Sequence, residues 1–391
     1  MDGLEQHKIG VAGTGFISRG FVKTLHHHGD LSLEKVLTRR DPATCGEFPR
    51  PETLTRSLAE LVDACDLVVE CSGDVIHATE VVNAAVEAGK PVVTMDAEFH
   101  VTAGSWFAGK GYVTEAEGDQ PGCLANLYEN VTSMGFRPLV LGNVKGFQDK
   151  NPARESMEHW AKKQGISLDM VISATDGTKI HFEQALVANG LGADILDGGM
   201  VGEESDDMHA SAQALAERAK AFGGPISDFA VIPRSPYRVF ITAEHDEDQW
   251  PALEYYKFGP GPFFTISVTN ILCHFEIVKT IRRALRGGPV LLDNSADPRV
   301  SVAAFAKGPL PKGHRIGQAL GSFDIRGESV RIVERPDHVP IGLLKGAVLE
   351  TALEPGQIVT FADVSIPDSL ALRAWREILA RKLENAPASA A

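Results

Sequence analysis

Lys8-Ile-Gly-Val-Ala-Gly-Thr-Gly-Phe-Ile-Ser18 decides the fold. A short apolar run stops at Gly13-Thr14-Gly15 and continues into a helical pattern, the order of a strand, a tight turn and a helix. Gly13 and Gly15 let the backbone turn sharply and approach a pyrophosphate, while the amides at Phe16 and Ile17 offer unpaired donors and a partial positive charge. Ser18 stands where the full G-x-G-x-x-G pattern has its third glycine. A bare G-x-G also marks ordinary turns, so its context matters: residues 8–12 read as a buried strand, 16–25 as a helix and 34–38 as a second strand at the right distance. This is a dinucleotide-binding Rossmann unit.

The second strand runs into Thr38-Arg39-Arg40-Asp41-Pro42, where an NAD-specific fold carries an acidic side chain for the ribose hydroxyls. Guanidinium groups there suit a ribose 2′-phosphate through bidentate charge-assisted bonds, so Arg39 and Arg40 favour NADPH, with Asp41 keeping NAD open. Residues 66–73 form another buried strand whose small ending, Ser72-Gly73, lies beside the cofactor. A helix over 77–88 then leads to a strand at 91–96. Strand, helix and strand repeated at this spacing imply a parallel, doubly wound α/β sheet. The three histidines at 26–28 point in different directions on a helix and mark its end rather than a metal site.

Composition narrows the partners. A chain of 391 residues with 43% hydrophobic content holds two or three domains around sizeable cores. The net charge of −14 argues against a nucleic-acid or anionic-membrane surface, so an anionic ligand needs a local basic pocket. Five cysteines without C-x-x-C spacing read as reduced thiols. A polar start and the absence of an apolar stretch of about 18 residues point to the cytoplasm.

A resemblance then sharpens the reading. Ala84-Ala-Val-Glu-Ala-Gly-Lys-Pro-Val-Val-Thr-Met-Asp-Ala-Glu98 resembles the matching segment of homoserine dehydrogenases. Those enzymes end it in threonine, a small residue, asparagine and lysine, whereas this chain has Thr94-Met95-Asp96-Ala97-Glu98 without the lysine. Five further motifs, at 118–122, 142–146, 175–189, 256–262 and 272–276, together resemble homoserine dehydrogenase-like proteins with a C-terminal SAF domain. That group includes deoxyxylulose phosphate reductoisomerase-like enzymes. The resemblance implies a cofactor site extending to Asp96 and Glu98, and an oxidoreductase activity.

In the substrate half, Asp176, Lys179 and Glu183 fall at i, i+3 and i+7, one face of a helix that begins near Asp176. A carboxylate beside an ammonium tunes a proton donor for an oxygen whose charge changes during hydride transfer; a capped helix with a surface ion pair is the plainer alternative. Lys145 reads as a loop residue flanked by glycines, able to hold a phosphate or carboxylate. Asp119 and Gln120 before Pro121, Asn189, and His274 with Glu276 are further candidates for substrate contact. A divalent cation is compatible with these carboxylates, but no ligand spacing indicates one.

Residues 237–243, 253–258 and 263–268 read as β-rich runs, followed by a helical stretch over 271–285. The chain from about Val300 reads as short strands with glycine and proline turns. Expected, then, are a Rossmann domain over 1–135, an α+β substrate and oligomerisation domain over 136–299, and a small mostly-β, SAF-like domain with its tail over 300–391. The expected function is an NADPH-dependent oxidoreductase acting on a small polyhydroxylated or phosphorylated carbonyl compound, as a homo-oligomer, either dimer or tetramer. The resemblance makes reductoisomerisation of 1-deoxy-D-xylulose 5-phosphate to 2-C-methyl-D-erythritol 4-phosphate the sharpest candidate. Dehydrogenation of a sugar acid, polyol or homoserine-like alcohol is the alternative, and a non-catalytic nucleotide sensor the reading from another class.

Overall fold

β1 (His7–Ala12) places Ile9 and Val11 in the core, fully buried, at roughly 1.5–3 kcal/mol of burial each. The computed structural model containing it describes residues 6–236 and 238–385. Tyr237 and the Ala/Pro/Ser tail after Asn385 lie outside them.

β1 turns through Gly13-Thr14-Gly15 into α1 (Phe16–Leu25). β2 (Leu31–Leu37), β3 (Leu54–Thr55), α2 (Leu58–Ala64), β4 (Leu67–Glu70) and α3 (Val75–Glu87) follow. β5 (Val92–Thr94), α4 (Ala97–Ala103) and β6 (Val113–Glu115) complete a six-stranded sheet of order β3-β2-β1-β4-β5-β6, its pairs all parallel. The strand order reverses between β1 and β4, so the ligand crevice lies at the carboxyl ends of these two strands. Ser18 fills the third-glycine position without harm: it is buried and its hydroxyl donates to the Gly13 carbonyl at 2.8 Å, tying the turn to the helix.

The second domain comprises α5 (Gln120–Ser133), β7 (Arg137–Lys145), α6 (Arg154–Gln164), α7 (Leu168–Thr175), α8 (Thr178–Leu191), β8 (Glu203–Glu204) and α9 (Met208–Phe222). It continues through β9 (Ile226–Val231), β10 (Arg238–Glu244), α10 (Trp250–Tyr255), β11 (Phe264–Thr269) and α11 (Ile277–Leu285). Its mixed sheet runs β11-β10-β7-β9-β8. One face packs Leu141, Val239 and Ile241 against α5, and the other packs Val140, Ile226 and Phe240 against α9. The expected boundary at 135 therefore cuts α5 from the sheet it covers. Ile277, Val278 and Ile281 of α11 return to the β1 core, and β12 begins at Val300. Residues 253–258, expected as a β-run, form the end of α10 and a turn, since a helix opening on Trp250-Pro251 outweighs the β preference of the tyrosines. Only 277–285 of the expected helix over 271–285 is α-helical; a one-turn 3-10 segment at Cys273–Phe275 precedes it.

The third domain pairs β12 (Val300–Ala306) with β13 (Ile325–Arg331), and β14 (Val348–Leu349) with β15 (Val364–Ser365), both antiparallel. It ends in a helix absent from the sequence reading, α12 (Leu370–Glu384), capped by the Ser369 hydroxyl and packed through Ala371, Leu372, Trp375 and Ile378. α8 lies between all three domains, against α4, α5, β7, β12 and β13. Buried on nearly every side, it has no broad solvent-facing polar stripe, as a central helix requires.

Candidate active site

The dinucleotide turn is shaped by two different glycine needs. Gly13 sits at φ +113°, and a Cβ there would lie 2.7 Å from the Cys71 carbonyl oxygen of the β4 end. A Cβ on Gly15 would meet nothing within 4 Å, so the open side of the turn faces space that a ligand can enter. No side chain caps α1, which leaves its first-turn amides, at Phe16 and Ile17, free for an anion. Arg39 and Arg40 follow β2 at the same edge; Arg40 Nη2 donates to Thr14 Oγ1 at 2.7 Å, and Arg39 Nη1 pairs with Asp74 at 2.6 Å. Gly73 (φ +66°) and Ser72, whose amide donates to Glu70 Oε1, lie just beyond β4. Uncapped amides, an open turn and two guanidinium groups suit a nicotinamide dinucleotide.

Across the crevice, β7 and α8 assemble a charged network. Asn143 and Lys145 alternate on one strand face: Asn143 Nδ2 donates to Glu183 Oε2 at 2.9 Å and Lys145 Nζ to the same oxygen at 3.0 Å. Lys145 also donates to Gln120 Oε1 at 2.9 Å. Lys179 Nζ, one turn before Glu183 on α8, lies 3.2 Å from Glu183 Oε1 and 3.7 Å from Asp119 Oδ1. Glu183 is fully buried, whereas the Lys179 side chain is 34% exposed and forms the open side of the cluster. Asp119 is the N-cap residue of α5 and Gln120 its first residue.

Burial resists the charge on Lys179, but Asp119, Glu183 and Glu98 outweigh it and hold the ammonium protonated well above the ordinary lysine range. Burial pushes the Glu183 carboxyl up, and the two lysines more than reverse this, leaving it below its usual value. Burial raises Asp119 against the opposing pull of Lys179. The network thus contains a firmly charged donor beside a carboxyl closer to holding a proton. It lies at the carboxyl edge of the first sheet, since Asp96 and Glu98, which follow β5, bear electrostatically on Lys179. Asp96 Oδ1 caps α4 through the Phe99 amide at 2.9 Å, and burial raises its carboxyl well above the carboxylate range.

Besides Glu183 Oε1, which faces the Lys179 ammonium at 3.2 Å, three buried polar atoms of the network have no hydrogen-bond partner in the protein: Asp119 Oδ2, Gln120 Nε2 and Asn143 Oδ1. An unpaired buried polar group costs about 1–3 kcal/mol, so three in one place describe a binding surface awaiting polar atoms.

Several expected residues lie elsewhere. α8 begins at Thr178, after the turn at Gly177, so Asp176 precedes the helix and does not share the face of Lys179. Its Oδ1 accepts from the Thr178 amide at 2.8 Å and its Oδ2 from buried Lys307 of the third domain at 2.7 Å. Asn189 bonds Asn294, the Val300 carbonyl, and the amides of Arg299 and Val300, stitching α8 to the third domain with no group left for a ligand. His274 lies over α1, so close that a Cβ on Gly20 would meet its ring at 2.5 Å, and stands edge-on to Phe16 at 6.0 Å. It borders the cofactor turn rather than Lys179. Glu276 accepts the Leu272 amide at 2.7 Å and pairs with Lys279 at 2.8 Å, bracing its own loop. Lys145 is the last residue of a strand, not a loop residue; Gly142 beside it leaves room for the Phe240 ring, which an added Cβ would meet at 2.1 Å. Among the described residues no group of three or more His, Cys, Asp and Glu side chains is placed to hold a metal ion, and no helix is long and apolar enough to cross a membrane.

Asn143 escaped the sequence reading although its signal was present: once residues 137–145 are a strand, Asn143 and Lys145 must share a face. Asp74, Thr14 and Lys345 had no local signal.

An open glycine turn with uncapped helix amides, in a chain that also holds a buried lysine and carboxylate network, suits a nicotinamide-dependent oxidoreductase. Residues 13–103 match the family model for the homoserine dehydrogenase NAD-binding domain, and residues 118–277 match the model named Oxidoreductase DRL, catalytic domain. The chain is an NAD(P)-dependent oxidoreductase. No curated protein matches it. Similar solved structures include a homoserine dehydrogenase from Thiobacillus denitrificans, 14% identical over 80% of this chain and 84% of that one, with a TM-score of 0.45. Another is a UDP-N-acetylglucosamine 3-dehydrogenase from Acidithiobacillus ferrooxidans, 14% identical over 74% and 92% of the two chains, with a TM-score of 0.43. Both likenesses are too loose to carry a substrate across.

Proposed function

We propose that this oxidoreductase acts on a small polyhydroxylated substrate, carbonyl or alcohol, bound against Lys145, Lys179, Asp119, Gln120 and Asn143, with NADP(H) as its cofactor. The observation that carries this reading is the trio of unpaired buried polar atoms around Lys179, which call for hydroxyl or carbonyl partners. The nicotinamide cofactor, bound along Gly13, Gly15 and the Phe16 and Ile17 amides, supplies the hydride chemistry. Lys179 Nζ holds a proton at the exposed side of the network, placed to donate to a substrate oxygen on which negative charge develops. Glu183 fixes that ammonium and Lys145 together, and Asn143 and Gln120 set the orientation of the remaining hydroxyls.

Reductoisomerisation of 1-deoxy-D-xylulose 5-phosphate is the first candidate reaction, since Lys145 and Lys179 offer donors for an enediolate-like charge. A second reading, oxidation of an unphosphorylated sugar or polyol, draws support from the charge count. Two lysines face Asp119, Glu183 and Glu98, so the protein leaves no surplus cation for a phosphate. The discriminating experiment follows NADPH oxidation by absorbance with deoxyxylulose phosphate, with and without magnesium or manganese. Lys179→Met is expected to slow turnover about 10² to 10⁴-fold while the cofactor still binds. Tight NADPH binding without turnover of this ketose under either condition refutes the first reading, and NADP reduction by sugar acids or polyols establishes the second.

A further inference from the structure

Arg39, Asp74 and Lys345 meet at one oxygen. Arg39 Nη1 and Lys345 Nζ each lie 2.6 Å from Asp74 Oδ2, which places the two cations within a few ångströms of one another. Asp74 Oδ1 is occupied as well, accepting the His77 amide at 3.2 Å and capping α3. Asp74 is thereby committed to its own protein partners on both oxygens and is poorly placed to serve a ribose hydroxyl. Arg40 stands alongside, anchored to Thr14 of the dinucleotide turn. Three cations gather around Asp74, with Asp41 and buried Glu70 the neighbouring carboxyls, in a chain whose net charge is −14. The cluster lies where β2 and β4 end, the edge at which this fold holds the adenosine ribose.

Arg39, Arg40 and Asp74 belong to the first domain, but Lys345 comes from the third, 271 residues along the chain from Asp74. Beside the junction a cleft between the two domains is lined by Gly73, Asp74, Gln318, Gly342 and Lys345. The Lys345 and Arg39 side chains are 42% and 55% exposed whereas Asp74 is only 9% exposed, so both cations can meet an incoming anion with their open sides while keeping their contact with the carboxylate.

We propose that Lys345 is a specificity-determining residue for the cofactor: with Arg39 and Arg40 it holds the ribose 2′-phosphate of NADP(H), so that the third domain completes the cofactor site. Asp74 is the internal counter-ion that keeps two of the cations gathered for the phosphate. The inference rests on the NADP(H) reading above and is independent of which substrate is reduced.

Fluorescence titration of the full chain with NADPH and with NADH, and competition by adenosine 2′-monophosphate and adenosine 5′-monophosphate, provide the test without turnover. Lys345→Met is expected to weaken NADPH and the 2′-phosphate about tenfold or more, the loss of one charge-assisted contact. Affinities for NADH and the 5′-phosphate stay unchanged, Lys345→Arg retains NADPH, and the thermal midpoint of each variant matches the parent. Equal weakening of NADPH and NADH by Lys345→Met reduces Lys345 to a staple between domains and overturns the proposal. So does a parent preference for NADPH that Lys345→Met leaves intact, which fails the lysine alone. A parent that binds NADH more tightly than NADPH fails the cofactor reading and the inference with it.

Discussion

Replacing Glu183 with glutamine probes the network at its centre. The amide keeps the size of the side chain and can still accept from Asn143 or Lys145, yet it removes the negative charge between two ammonium groups at 3.0 and 3.2 Å. Loss of one partner from a buried ion pair costs about 3–5 kcal/mol. The lower end applies here, because Lys179 keeps Asp119 at 3.7 Å and is one-third exposed, while Lys145 keeps Gln120. A loss near 3 kcal/mol lowers the melting temperature of a domain of this size by roughly 6–12 °C. Scanning calorimetry at several pH values checks both the size and the sign. The lysines depress the Glu183 carboxyl in the folded state, so its contribution is fully present above the unfolded value of about 4.3 and is lost as pH falls through the folded one. Parent and Glu183→Gln therefore differ most near pH 7 and converge only once the pH has fallen through the depressed folded value. A difference that grows on acidification, or none at pH 7, refutes the claim that Glu183 is the anion holding both lysines.

The two glycines of the dinucleotide turn separate strain from access. Gly13→Ala forces a side chain onto φ +113° and against the Cys71 carbonyl, so calorimetry is expected to show lost stability of about 1–3 kcal/mol and titration to show lost cofactor binding. Gly15→Ala meets only open space, so stability holds while NADPH affinity falls; unchanged affinity refutes the placement of the cofactor on that side. Asp176→Asn strips the counter-charge from buried Lys307 and is expected to cost about 3–5 kcal/mol, with turnover per folded molecule unchanged. A hundredfold fall in turnover at unchanged stability would return Asp176 to the catalytic machinery.

The first domain was legible because its determinants are local. A buried strand, two glycines and a helix follow one another directly between His7 and Leu25, and the next strands repeat at short intervals. Arg39 and Arg40 could be placed for the same reason. The helix-face placement of Asp176 failed because periodicity alone does not say where a helix begins: Gly177 at φ +92° caps α8, which starts at Thr178, and the Asp176 side chain turns to a lysine 131 residues away. Asn189 was a candidate through the resembling motif alone, yet residues 294–300 consume its four hydrogen bonds, a packing fact that no pattern on one helix records. α12 was legible in principle, since Ser369 is a good cap and Ala371, Leu372, Trp375 and Ile378 fall at helical spacing. The run of short strands and turns before it obscured that signal.

The third domain links the two halves of the chemistry. Lys307 neutralises Asp176 immediately before α8, the Ser329 amide and hydroxyl pack on His181 within α8, and Lys345 reaches Asp74 at the cofactor edge. α12 reinforces the same clamp from the far side, with Glu377 accepting from Trp106 and Arg381 donating to the Ser105 carbonyl of the first domain. A helix carrying both Lys179 and Glu183 is thus held between the nucleotide domain and a domain that touches the nucleotide edge itself. Displacement of the third domain would disturb the donor lysine and the ribose pocket together, because the contacts fixing each belong to one rigid β-core around Val302, Ile325 and Ile341. Placing both anchors on that core ties the position of α8 to that of the Asp74 junction, the kind of support that a precisely aligned site needs.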